Sequence, residues 1–152
     1  MRIVLLIFFG LLSCDRMQEA PYSIQELSRC YGDQSLTVDK LYSQLLGRWA
    51  WEFVKCGGCD GFSSDTEEAG LEVVFDQENN IEMFRDGSLI YEGEWQLLPS
   101  HENGFYNLTI IPFFIISEHV GLGGNIITCE DNLLFFGSAG DGYDNFFQRV
   151  SL

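Results

Sequence analysis

The chain has 152 residues and carries eight Lys and Arg against 23 Asp and Glu, a formal net charge of −15. Nucleic acid and anionic headgroup surfaces both want positive patches, so a balance this acidic argues against either as a partner. Thirteen Phe, six Tyr and three Trp, with sixteen Gly and only three Pro, suit strands joined by tight turns, and the acidity reads as a solubility feature of the outer face.

The chain starts Met1-Arg2 and then runs from Ile3 to Leu12 without a charge. A basic start followed by about ten apolar residues is the layout of a secretory signal. It is too short to span a bilayer, which takes roughly 20 apolar residues. The run ends in Leu11-Leu12-Ser13-Cys14. This stretch resembles a bacterial lipobox: an apolar residue three before the cysteine, a small residue just before it, and the cysteine itself. Leu12 is a less usual choice at the middle position. The resemblance implies a diacylglyceryl group on the Cys14 sulfur, cleavage of residues 1–13, and acylation of the new amine by a chain such as palmitate. Several acyl chains, at about 0.8 kcal/mol per buried CH₂, hold a domain stably at a membrane. The expected place is therefore the cell envelope, the outer membrane or cell surface rather than the inner membrane. Asp15 leaves the leaflet open, because acidic residues near this position retain lipoproteins in some bacteria and export them in others.

Cleavage would remove Arg2 and leave seven basic residues against 23 acidic ones. The remainder has the size of one ordinary domain, able to bury close to two-thirds of its unfolded surface. Four cysteines stay in it: Cys30, Cys56, Cys59 and Cys129. An exported domain with an even count suggests disulfides, and the three possible pairings stay open. Cys56-Gly57-Gly58-Cys59 has the CxxC spacing of a redox or zinc motif. A thioredoxin-type motif needs a helix after it, whereas Asp60-Gly61-Phe62-Ser63-Ser64-Asp65 is loop chemistry. The second half of a four-cysteine zinc site is missing. Structural or plain loop cysteines are the expectation.

Residues 14–23 show no periodicity and read as a tether. Ile24, Leu27 and Tyr31, then Val38, Leu41, Tyr42 and Leu45, recur at three- and four-residue spacing, which predicts two short helices broken near Gly32-Asp33. Strands follow to the end. Arg48 to Val54 alternates, placing Trp49, Trp51 and Phe53 on one face; Leu71, Val73 and Phe75 do the same in the next strand. Ile81–Arg85 pairs with Ser88–Leu97 across Asp86-Gly87, since both turn positions want positive φ. In the second of these strands Leu89, Tyr91, Gly93, Trp95 and Leu97 form one face, with Glu92 and Glu94 on the other. Phe105–Ile111 is a strand ended by Pro112. Asn125–Cys129 and Asn132–Phe136 form a hairpin across Glu130-Asp131, and Tyr143–Val150 closes the chain. The Lys55–Gly70 stretch is the one long irregular connection. About eight sequential strands with short turns predict an all-β, up-and-down antiparallel barrel, whose closure removes its edges. The division is residues 1–13 as signal peptide, 14–43 as lipid tether and short helices, and 44–152 as the barrel domain.

Gly47-Arg48-Trp49, just after a short helix, resembles the Gly-x-Trp signature of lipocalins, and Phe146-Phe147-Gln148-Arg149-Val150 resembles their last strand with its terminal arginine. The layout also resembles the compact lipocalin-like (calycin) lipoproteins common in Bacteroidetes, in Gly47-Arg48-Trp49-Ala50-Trp51, the Gly-rich Cys56–Cys59 segment, Phe84-Arg85-Asp86-Gly87 and Asp141-Gly142-Tyr143-Asp144-Asn145-Phe146. The match covers residues 44–151. It implies that Arg149 lies over Trp49 and closes the barrel base, a cation–π contact of about 0.5–2 kcal/mol. It also implies a lumen able to hold one small ligand. Phe75, Tyr91, Trp95, Phe105, Phe136 and Phe147 are numerous enough to fill that lumen instead.

No active site assembles from the rest. His101 and His119 lack metal-ligand spacing, so no metal or cofactor is expected. Gly137-Ser138-Ala139-Gly140 is not a nucleophile elbow. Asp141 and Asp144 lack the alternating ligands of a calcium loop and read as a turn with an Asx cap. Asn107-Leu108-Thr109 fits a glycosylation sequon that means little in a bacterial strand. The sequence therefore predicts a non-enzymatic, lipid-anchored binding protein for a small apolar ligand. The alternative is a filled barrel that contacts another envelope protein through its acidic face or the Lys55–Gly70 loop.

Overall fold

The computed structural model describes residues 23–56, 62–63, 69–100, 104–114, 116, 120–137 and 142–151. The expected leader 1–13, the expected lipidation site Cys14, and Cys59, His101, His119 and Asp141 lie outside the described residues, as does most of the Lys55–Gly70 connection.

Among the described residues two helices come first. In α1 (Ile24–Asp33) Ser23 and Glu26 form a reciprocal capping box: the Ser23 hydroxyl accepts from the Glu26 amide at 3.2 Å, and the Glu26 carboxylate accepts from the Ser23 amide at 2.9 Å. Those bonds hold the Glu26 carboxyl below its ordinary value. Thr37 caps α2 (Val38–Leu45) through the Lys40 amide. The break between the helices falls over Gln34–Thr37, not at Gly32-Asp33 as the sequence predicts. Gly32 stays helical, and the chain turns instead at Ser35, which takes φ 47°, before Thr37 starts the next helix.

Among the described residues nine strands follow: β1 (Gly47–Cys56), β2 (Phe62–Ser63), β3 (Leu71–Phe75), β4 (Asn80–Arg85), β5 (Ser88–Pro99), β6 (Tyr106–Ile111), β7 (Gly124–Cys129), β8 (Asn132–Phe136) and β9 (Tyr143–Arg149). Every pairing is antiparallel, and β1 pairs with β3 on one edge and β9 on the other. The sheet is thus a closed eight-strand barrel of β1 and β3 to β9, preceded by two short helices, as its alternation predicts. The short β2 is an addition within the expected loop, pairing with Val54 and Lys55 at the end of β1. Asp86 and Gly87 take φ 50° and 76°, the turn that Asp-Gly favours.

Inward alternation puts Trp49, Val73, Phe75, Ile81, Met83 and Trp95 at no more than 2 % exposure. Two bulges shift faces that strict alternation misassigns. Between β4 and β5 the register passes from Met83↔Tyr91 to Phe84↔Leu89, leaving Ile90 as the extra residue. Leu89 therefore turns outward, 47 % exposed, and leaves the face of Tyr91 and Trp95. Between β1 and β9 the register passes from Trp51↔Phe147 to Phe53↔Phe146. Phe53 thus leaves the Trp49–Trp51 face and stacks on Phe146 at 4.2 Å.

α1 packs on β7, and the disulfide Cys30–Cys129 joins them across a Cα–Cα distance of 5.8 Å. Tyr31 stacks on Phe105 at 5.7 Å. The helices therefore lie at the end of the barrel where β1 begins and β9 finishes.

Candidate functional site

The barrel has two unlike ends. At the helical end, a helix C-terminus leaves its last carbonyls without partners inside the helix. Here three successive carbonyls at the end of α2 are taken by the two residues of the sequence-predicted closing pair. Arg149 Nη2 donates to the Gln44 carbonyl, Trp49 Nε1 donates to Leu45 O at 2.8 Å, and Arg149 Nη1 donates to Leu46 O at 2.7 Å. The guanidinium carbon stands 4.2 Å from the Trp49 ring centroid. Trp49 is fully buried. A cation at a helix C-terminus also meets the negative end of the helix dipole. Arg149 Nε reaches Asp131 Oδ1 at 3.4 Å on the solvent side.

Gly47 makes room for this closure. Its φ of +115° is one that side-chain-bearing residues rarely adopt, and a Cβ there would stand 3.0 Å from Arg149 Nη1. A polar relay continues outward, with Thr128 Oγ1 donating to Gln44 Oε1 at 2.8 Å and Gln44 Nε2 donating to Gln34 Oε1 at 2.7 Å. Gln34 Nε2 lies 3.4 Å from the sulfur of Cys30, beside the disulfide. Tyr42 stacks on Trp95 at 4.8 Å, and its hydroxyl donates to Gln77 O and Asn79 Oδ1 of the β3–β4 turn. This end is sealed.

Tyr31, under the same helices, is 7 % exposed, and its hydroxyl finds no hydrogen-bond partner among the described residues. Burial, with a smaller contribution from nearby Tyr106, pushes its pKa up to about 12.

The other end is where β1 finishes and β9 begins. Inward residues there are Trp51, Val54, Asn145, Tyr143, Arg85 and Tyr91, and the Trp51 indole donates to Asn145 Oδ1 at 3.3 Å. Tyr91 and Tyr143 are only half-buried. Tyr91 stacks on Phe114 at 4.7 Å and donates to the Pro112 carbonyl at 2.5 Å. Burial raises its pKa. Around it Leu89, Ile111 and Phe113 are exposed, Phe113 by 75 %.

Of the aromatics numerous enough to fill the lumen, Phe75, Trp95 and Phe147 do so, and Phe147 meets Phe135 edge-on at 5.4 Å. Phe105 instead stacks on Tyr31 of α1, Phe136 alternates with the inward Phe135, and Tyr91 stands at the end opposite the helices. The lumen is therefore packed at its sealed half, while the inward tyrosines of the other half remain partly accessible.

Of the cysteines, Cys30 and Cys129 are bonded to each other, and Cys56 ends β1 opposite Tyr143 at the end away from the helices. Sequence spacing left that pairing open, and it did not reveal Gly93 and Pro112 as the residues against the Tyr91 hydroxyl. Among the described residues no group of three His, Cys, Asp or Glu is placed to hold a metal ion. No described helix is long and apolar enough to cross a membrane. Set beside known proteins, the chain matches no family model, no curated protein and no solved structure.

Proposed function

We propose that this chain is a non-enzymatic lipoprotein of the cell envelope, anchored through Cys14, whose lipocalin-like barrel carries a small, mainly apolar ligand in the half away from its helices. The observation that carries this reading is the asymmetry of the barrel. One end is sealed by Trp49, Arg149 and α2, while the other presents half-buried inward tyrosines beside exposed Phe113. Small-molecule sites are concave and mostly apolar with a few placed polar groups, and a barrel closed at one end with inward tyrosines toward the other suits that design. The Gly47–Trp49 and Arg149 arrangement supports the likeness to lipocalins, and the apolar run ending at Cys14 supports the anchor.

Two measurements check the two halves. Mass spectrometry of the membrane fraction should find the mature chain starting at Cys14 with diacylglyceryl and acyl additions, and Cys14→Ser should abolish them. A bare thiol behind an intact leader would sink the anchor. Titration with fluorescent fatty acids and apolar dyes should give saturable binding. Absence of saturation for every probe would favour the filled barrel, an envelope interaction protein whose packed lower half already holds Phe75, Trp95, Phe135 and Phe147.

A further inference from the structure

Strand β5 has a gap in its inner wall. Gly93 faces inward, paired with fully buried Ile81, and is the residue between Tyr91 and Trp95 on that face. A Cβ at position 93 would overlap the Tyr91 hydroxyl, and it would stand 2.6 Å from Tyr91 Cζ and 2.7 Å from the Ile111 carbonyl oxygen. The backbone here needs no positive φ, so glycine serves space rather than conformation. The Tyr91 phenol fills the space that any other residue would take.

What holds the phenol there is slight. Among the described residues β5 pairs with β6 only from Glu94 onward, so above that point the seam is bridged by the Tyr91 hydroxyl on Pro112 O and by the Phe114 stack. Both partners belong to the segment after β6, and Tyr91 itself is half-buried. A side chain on one hydrogen bond and one stack turns about χ1 far more readily than one locked in a close-packed core.

Below the gap stands Trp95, 2 % exposed, with Phe75 edge-on at 5.4 Å. Its indole N–H finds no hydrogen-bond partner among the described residues. Buried donors in folded proteins are almost always satisfied, so a lone one calls for an acceptor.

We infer that Tyr91 is a gate over a binding niche at Gly93, floored by Trp95, which takes a compact, planar and mainly apolar molecule carrying one hydrogen-bond acceptor. The inference rests on the reading of the barrel as a ligand carrier. When Tyr91 swings outward it gives up its bond to Pro112 and its place on Phe114. The swing frees the space that the Tyr91 ring itself held over Gly93, bordered by the Ile111 carbonyl, and the acceptor takes the Trp95 N–H. Phe113, Leu89 and Ile111 at the rim provide apolar surface on the way in.

The test uses prodan, a planar apolar dye with one carbonyl, and anthracene, which has no acceptor. Both are followed on the full chain by tryptophan-sensitised emission in stopped flow. Tyr91→Phe keeps the ring and removes the hydrogen bond, so both dyes should associate about two- to tenfold faster, the range one hydrogen bond sets. Tyr91→Ala should do at least as much. Trp95→Phe should weaken prodan about two- to tenfold and anthracene less than twofold. Leu98→Ala, on the outward face of β5, is the control that changes neither. Saturable binding with rates unchanged in both Tyr91 variants overturns the gate and leaves the carrier reading standing. Equal weakening of both dyes by Trp95→Phe overturns the acceptor niche. No saturable signal from either dye in any variant overturns carrier and niche together. Acrylamide quenching of Trp95, taken as the difference between the chain and Trp95→Phe, then judges the gate separately: Tyr91→Ala must raise it, and an unchanged value overturns the gate.

Discussion

Replacing Arg149 by Met tests the sealed end most directly. Met matches the aliphatic stem but cannot bond Gln44 O or Leu46 O and carries no charge over Trp49. The lost cation–π contact is worth about 0.5–2 kcal/mol. Two carbonyls at the α2 terminus lose their donor, and each buried acceptor left alone costs about 1–3 kcal/mol. The Asp131 contact adds little, because Asp131 is 69 % exposed and such pairs contribute about 0–1 kcal/mol. Partial hydration of the carbonyls offsets some of the loss, so about 3–5 kcal/mol is expected. With an m-value of roughly 2 kcal/mol/M in urea, the midpoint should fall by about 1.5–2.5 M at unchanged slope. Arg149→Lys keeps the charge but not the fork, and should lose about half as much. A loss below about 1 kcal/mol for Arg149→Met would refute the claim that this side chain seals the barrel.

Three further outcomes are expected. Cys30→Ser with Cys129→Ser should lower unfolding stability by about 2–5 kcal/mol, since the bond closes a loop spanning 99 positions, and a non-reducing peptide map of the native chain should recover the Cys30–Cys129 pair. Tyr31 has its pKa raised in the fold to about 12 against an ordinary value of 10.0, so its contribution is complete below pH 10 and is lost as pH climbs through 12. Urea midpoints measured across that window should fall with pH, and Tyr31→Phe should flatten the fall. Asp76 has its pKa lowered from 3.8, first by the Asn80 side chain and then by the Asn80 and Glu78 amides. Its contribution is present above pH 3.8 and disappears as pH drops through the lower folded value, so acid unfolding of Asp76→Ala should begin from a less stable turn and show a shallower slope.

The barrel was legible in the sequence because alternation and turn chemistry agree along most of it. Asp86-Gly87 fixed one hairpin, and Leu71, Val73 and Phe75 fixed which face of β3 is wet. Bulges were not legible, because an extra residue is a property of two strands together. Leu89 and Phe53 read as inward until the registers with Phe84 and Phe146 are known. The helix break was misplaced because Gly32 signals a stop, yet its helical turn is undisturbed while Ser35 absorbs the reversal. Trp49 and Arg149 could be named from a family likeness. Their partners on α2 could not, since the carbonyls of Gln44 and Leu46 are backbone and carry no residue signature. The gap at Gly93 was invisible for a similar reason: a glycine in a strand says only that something comes close.

The disulfide also settles how force would enter the molecule. A pull arriving from upstream of Ser23 travels about two turns of α1 and then meets a covalent crosslink into β7 at Cys129. Load is shed into the barrel wall there, before it reaches Gln34 or α2. The guanidinium cap at the far side of α2 is mechanically shielded, so a domain pulled from its N-terminal side would keep its floor closed.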